Sequence, residues 1–136
     1  MIAPDTSVLV AGFAGWHEAH GTASDALNRG VHLVAHTAVE TLSVLTRLPP
    51  PHRVSSAVVA GFLQNVTSFE YLVLDAGAHR RLIDDLAAHN ITGGAAYDGL
   101  VGATAKAAGA TLLTRDRRAI RTYEALNVDF ELLPPG

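Results

Sequence analysis

The sequence predicts an α/β domain with a mostly parallel sheet, and three observations carry that expectation. Short apolar runs of strand length recur at 1–4, 31–35, 71–74, 111–114 and 130–133. Helical patterns separate each run from the next, so neighbouring strands are joined by crossovers. Hydrophobic residues make up 49% of the 136 residues, ample for a core between a sheet and its covering helices.

The elements follow in order. The run 1–4 is the first strand and leads into a helix beginning near Thr6. Residues 16–28 read as helical, stopped by Gly30. The second strand is 31–35. Residues 37–48 place Val39, Leu42, Leu45 and Leu48 on one side of a helix, and Pro49-Pro50-Pro51 ends it. Residues 55–66 form a helix opened by a serine cap. A buried strand at 71–74 precedes a helix at 78–90 and a loop at 91–94. Residues 95–108 form a small-residue-rich helix closed by Gly109. The strand 111–114, a helix at 117–126 and a last strand at 130–133 complete the chain. With no repeat, low-complexity run or linker in between, residues 1–136 read as a single domain.

Composition removes several function classes. There is no cysteine, so thiolate zinc sites, disulfides and cysteine nucleophiles are excluded. The apolar stretch 8–16 is far short of a membrane span, and the N-terminus lacks the basic start of a signal peptide. A soluble, cytoplasmic protein with no membrane partner is expected. The net charge of −3 weighs against a nucleic-acid partner at first sight, because phosphate affinity comes from basic side chains. Nearly all of the ten basic residues are arginine, which matches planar phosphate geometry.

In open α/β sheets ligands bind beyond the carboxyl ends of the strands. Acids stand there. Asp5 follows the first strand, Glu40 follows the second by about one helical turn, and Asp116 follows the strand 111–114. Asp98 lies on the helix leading into that strand. Each has a local alternative. Asp5 and Asp116 are good helix caps, Thr37 and Glu40 fit a capping box, and Asp98 suits a solvated face. Caps need not converge on one site, whereas carboxylates gathered at one sheet edge repel unless a cation neutralises them. All-oxygen ligation suits a hard ion such as Mg²⁺ or Mn²⁺.

Motifs around these acids resemble a known family. Pro4-Asp5-Thr6-Ser7-Val8-Leu9-Val10 is similar to the opening of a PIN-domain ribonuclease. Thr37-Ala38-Val39-Glu40-Thr41-Leu42 resembles the second acidic motif. The runs beginning Tyr97-Asp98-Gly99 and ending Leu113-Thr114-Arg115-Asp116 resemble the third and fourth. Chain length and the segment Tyr123-Glu124-Ala125-Leu126 are similar to VapC toxins of VapBC type II toxin–antitoxin systems. The resemblance implies a three-layer α/β/α fold with about five strands, and Mg²⁺- or Mn²⁺-dependent cleavage of RNA, with tRNA the expected substrate. It implies metal binding and catalysis by Asp5, Glu40, Asp98 and Asp116, with Thr6, Ser7 and Thr114 holding carboxylates or water. It also implies a homodimer and a cognate VapB-type antitoxin. The alternative is a catalytically inactive PIN-like module that binds RNA or protein. A phosphate-handling hydrolase on another sheet would want a second aspartate where Ser7 stands.

Pro4 departs from the family pattern and removes a backbone donor at the strand end, which should alter sheet pairing slightly. Arg115, Arg117, Arg118 and Arg121 crowd around Asp116 and are candidates for holding RNA phosphates, with Arg47 and Arg53 extending the track. The aromatics are scattered, so no stacking platform is evident. His17 and His20 share a helix face, but nothing completes a metal site there. Val8, Leu9 and Phe13 suit either a dimer interface or the core.

Overall fold

The computed structural model describes residues 1–135. In chain order they form β1 (Ile2–Pro4), α1 (Thr6–Phe13), α2 (His20–Leu27), α3 (Ala35–Thr46), α4 (Ser56–Val66) and α5 (Ala76–Ala88). Then follow α6 (Ala95–Ala107), β2 (Thr111–Thr114), α7 (Ile120–Ala125) and β3 (Phe130–Leu132). The α/β class and the parallel sheet are as expected. β1 pairs with β2, and β2 with β3, both parallel, so β2 is central among the regular strands.

Among the described residues the sheet has three regular strands, not about five. The two missing strands are present as irregular neighbours. His32 N donates to Ile2 O at 2.9 Å, Leu72 N to Leu33 O at 2.8 Å, and Ala35 N to Leu72 O at 2.9 Å. The next bond of a parallel ladder would run from the backbone N–H of residue 4 to the carbonyl of His32. Residue 4 is proline and has no N–H to give. The ladder stops after one bond, and the chain turns into α3 at once. The 71–74 segment then finds only a single bridge, between Val34 and Leu72.

Side chains alternate across the sheet as a pleat requires. Leu113 packs with Val8, Leu9, Leu33, Leu45 and Val59 on one face. Leu112 and Ala3 pack with Leu82, Val101, Tyr123 and Val128 on the other. Val8 and Leu9 are fully buried, and Phe13 meets Phe62 edge to face at 5.1 Å, so this group belongs to the core.

Several boundaries move for local reasons. α3 starts at Ala35 without a side-chain cap, so Thr37 lies inside the helix and the capping box with Glu40 does not form. α2 starts at His20, where His17 Nδ1 accepts from Ala19 N and His20 Nδ1 bonds Ala11 O. Those contacts occupy both imidazoles. α5 starts two residues early because Asp75 caps it, accepting from Ala78 N at 2.8 Å. α7 starts at Ile120 because Arg118 N donates back to Asp116 Oδ1 at 3.0 Å, closing a turn first.

Candidate active site

A cavity of about 240 Å³ opens at the carboxyl ends of β1 and β2, lined by Asp5, Thr6, Ser7, Glu40, Val44, Arg47, Asp98, Val101 and Asp116. All four acids singled out in the sequence reach it. They come from the end of β1, from α3, from α6 and from the turn after β2.

Asp5 is 6% exposed and held on several sides. Its Oδ1 accepts from Ser7 N at 3.0 Å, Val8 N at 3.4 Å and the Ser7 hydroxyl, and its Oδ2 accepts from Tyr123 Oη at 3.1 Å. Capping of α1 and membership of the site are therefore not alternatives. One carboxylate does both, because the strand end and the helix start meet at the cavity. Burial pushes the Asp5 carboxyl above the ordinary carboxylate range, and the hydroxyls of Ser7, Thr114 and Tyr123 pull it partly back.

Asp98 is half-buried. Burial, then the charges of Asp116, Asp5 and Glu40, push its pKa up to about 6, and Arg118 opposes them weakly. Glu40 accepts from the Thr6 hydroxyl through Oε1, and its Oε2 lies 3.8 Å from His36 Nε2. Asp116 N donates to Thr114 Oγ1 at 3.0 Å, and the Ser7 hydroxyl accepts from Arg115 N at 2.8 Å. The three hydroxyl residues expected to support the acids each hold a carboxylate or the backbone carrying one.

Two glycines set the position of Asp98. A Cβ on Gly99 would lie 2.6 Å from Leu86 Cδ2, and one on Gly102 would lie 2.9 Å from Val128 Cγ2 and 3.2 Å from Tyr123 Cδ1. Their absence lets α6 close onto α5 and α7, which brings Asp98 and the Tyr123 hydroxyl toward the same cavity.

The arginines divide. Arg118 Nε is 3.6 Å from Asp116 Oδ1 on a side chain that is 95% exposed, so it weakly shields the acids. Arg115 Nε is buried without a hydrogen-bond partner among the described residues. Arg117 is exposed. Arg121 lines a separate cavity with His89 and Thr92, away from the acids. Arg47, from the end of α3, lines the acidic cavity itself.

The donor set is oxygen only and mutually repelling, which is the chemistry a hard divalent cation satisfies. Among the described residues, no group of three or more His, Cys, Asp or Glu stands in metal-holding geometry. The fit therefore rests on donor chemistry and common location. Tyr123 was not singled out from the sequence as a partner of Asp5, and nothing local could reveal it. His36 and Tyr97 stack with centroids 5.3 Å apart and planes within 4°, a pairing between α3 and α6 that the scattered aromatics of the sequence did not reveal.

Comparisons with known proteins agree with this picture. The PIN-domain family model matches residues 2–125. Ribonuclease VapC40 of Mycobacterium tuberculosis is 67% identical over 133 residues, 98% of this chain and 99% of that protein. The fold resembles that of M. tuberculosis VapC20, described as a sarcin–ricin loop cleaving toxin, with TM-score 0.72 and 20% identity over 98% of this chain and all of that one. It also resembles a chain of Rickettsia felis VapBC2 bound to a promoter DNA fragment, with TM-score 0.68 and 17% identity over 98% of this chain and 100% of that one.

Proposed function

The chain belongs to the PIN-domain family and, within it, to the VapC ribonucleases, and from that premise we propose a Mg²⁺- or Mn²⁺-dependent endoribonuclease that acts as the toxin of a VapB–VapC pair. The observation that carries the reading is the convergence of Asp5, Glu40, Asp98 and Asp116 on one cavity at the sheet's carboxyl edge. A module that only binds RNA has no physical need for four repelling carboxylates in one place, so that alternative is not favoured.

Asp5 and Asp98 are the chief residues that would hold the ion, with Glu40 and Asp116 completing the ring. A divalent ion held there would supply Lewis acidity to the attacking water and to the phosphate charge. The chain's own groups prepare that site. Ser7 and Tyr123 fix the orientation of Asp5, and Thr6 fixes Glu40. The Thr114 hydroxyl holds the Asp116 backbone. Arg47, at the rim, meets a backbone phosphate, and Arg115, Arg117 and Arg118 supply further positive charge after β2. Neither a histidine nor a covalent nucleophile is needed.

The toxin works in the cytoplasm, where its RNA is. The substrate proposed is tRNA. A partner VapB segment that places a basic side chain among the four acids would silence the enzyme, and a homodimer is the proposed assembly. Induced expression followed by mapping of new RNA 5′ ends tests the activity and identifies the substrate, with Asp5→Asn as control. Metal-dependent 5′ ends that vanish in Asp5→Asn are expected, and their persistence there would overturn the reading.

A further inference from the structure

A second cavity adjoins the acidic one. It is lined by His36, Val39, Glu40, Ser43, Arg47 and Tyr97, and it shares Glu40 and Arg47 with the acidic cavity. Its volume is about 430 Å³. One wall is the His36–Tyr97 stack. Tyr97 is 57% exposed and Val39 70% exposed, so the chain leaves large apolar and aromatic surface uncovered beside the carboxylates. Further along α3, at its C-terminal end, stands Arg47, whose Nη1 donates to Ser43 Oγ at 2.9 Å.

These groups are the parts a single-stranded nucleotide needs. A flat exposed ring offers a base a π-face, and an arginine at one end offers its phosphate a charge. Glu40 lines both cavities, so a base stacked on the Tyr97 ring lies beside the carboxylates. The parallel packing of His36 against Tyr97 helps hold the phenol in one orientation and lowers the entropy lost when a base arrives. A stacked base is accepted largely without regard to its identity, so the wall selects unpaired RNA over duplex.

We propose that Tyr97, backed by His36 and completed by Arg47, forms a stacking subsite for one unpaired nucleotide flanking the bond that is cut. This rests on the ribonuclease reading above and goes beyond it by assigning residues outside the acidic set. The surface is continuous with the carboxylate cavity through Glu40 and Arg47, so an RNA whose scissile bond lies at the four acids reaches it, with Arg47 placed to meet its phosphate.

The test uses an Asp98→Asn protein, in which cleavage is halted, and an unstructured RNA of about twelve nucleotides carrying one 2-aminopurine walked along its length. Quenching at one position is expected, retained in Tyr97→Phe and lost in Tyr97→Leu, whose affinity falls about tenfold. Arg47→Ala weakens binding and lowers the salt slope by about 0.7. In the cleaving protein, Tyr97→Leu raises KM about tenfold and leaves kcat within about twofold. Quenching that ignores Tyr97→Leu overturns the subsite. If that substitution instead shifts the mass from dimer to monomer, the face is an interface between two copies. Wild-type protein that fails to cut RNA while Tyr97-dependent quenching persists defeats the ribonuclease reading and leaves the subsite standing. Cutting by wild type with Tyr97-independent quenching does the reverse.

Discussion

Asp5 accepts hydrogen bonds at both of its oxygens, whereas Asp98, across the same cavity, draws no hydrogen bond to its carboxylate among the described residues. Asp5 is tied to the start of α1 and to α7, so it serves the fold as well as the site. Asp98 is held in place only by its helix and is left to the repulsion of three other acids. A buried charge with partners can be part of a scaffold. A half-buried charge without partners is repelled by its neighbours, and the protein loses stability by keeping it.

Alanine substitutions should break this pairing most visibly. Both Asp5→Ala and Asp98→Ala are expected to reduce metal-dependent RNA cleavage by more than about a hundredfold. Their effects on the metal-free fold should be opposite in sign. Asp5→Ala removes a helix cap and strands the Tyr123 hydroxyl, a loss of about 2–3 kcal/mol. Asp98→Ala removes a repelled charge and should raise the melting temperature in EDTA. Equal destabilisation by the two would show that the walls do not differ.

The pH dependence sharpens the same contrast. Asp98 has its folded-state pKa raised from 3.8 to about 6, and that of Asp5 is raised as well. The folded state therefore holds more protons than the unfolded one between those values. For each group stability is highest below the unfolded pKa and is lost as pH rises through the folded one. Metal-free protein should accordingly melt at lower temperature at about pH 7.5 than at about pH 5 on account of these groups. Mg²⁺ or Mn²⁺ competes with the protons, so its stabilisation should be larger at the higher pH. In Asp98→Asn the difference between the two pH values should shrink.

Removing a single hydroxyl probes the tied wall alone. Tyr123→Phe keeps the ring that packs against Gly102 and takes away only the bond to Asp5 Oδ2. The Tyr123 hydroxyl resists ionisation because burial and the charges of Asp5 and Asp98 disfavour the phenolate, so it acts as a donor throughout the working pH range. Its loss should lower stability by about 1 kcal/mol. Metal affinity, measured by calorimetry, should change more than the RNA KM does.

How much of this was legible in the sequence follows from how local each feature is. Asp5, Glu40, Asp98 and Asp116 could be placed at one edge because each stands at a fixed offset from a strand or a helix, and topology does the rest. The strands at 31–35 and 71–74 could be recognised as apolar runs, but the failure of 31–35 to form a ladder with β1 depends on Pro4 lacking an N–H opposite His32. The helix at Thr37 read as capped, yet Glu40 turns to Thr6 instead, a choice made by packing of α1 on α3. The Tyr123–Asp5 bond and the His36–Tyr97 stack join residues far apart in the chain, and no spacing rule reaches that distance.

The smallest effects should come from the arginines after β2, where the contrast between tied and free side chains recurs at the surface. Arg117 is exposed, and the Arg118 side chain is 95% exposed with Nε 3.6 Å from Asp116. An exposed pair of that kind contributes little, so either residue changed to alanine should alter stability by less than about 0.5 kcal/mol. Their charges still count toward a polyanion. Each substitution should weaken RNA binding by a similar factor across sequences and lower the salt slope by about 0.7 for every phosphate no longer neutralised. Arg121, which lines a cavity away from the acids, should leave that slope unchanged when replaced by alanine. A salt slope that fell equally for Arg121→Ala would place the RNA path over the His89 side of the molecule rather than along the Arg47 rim.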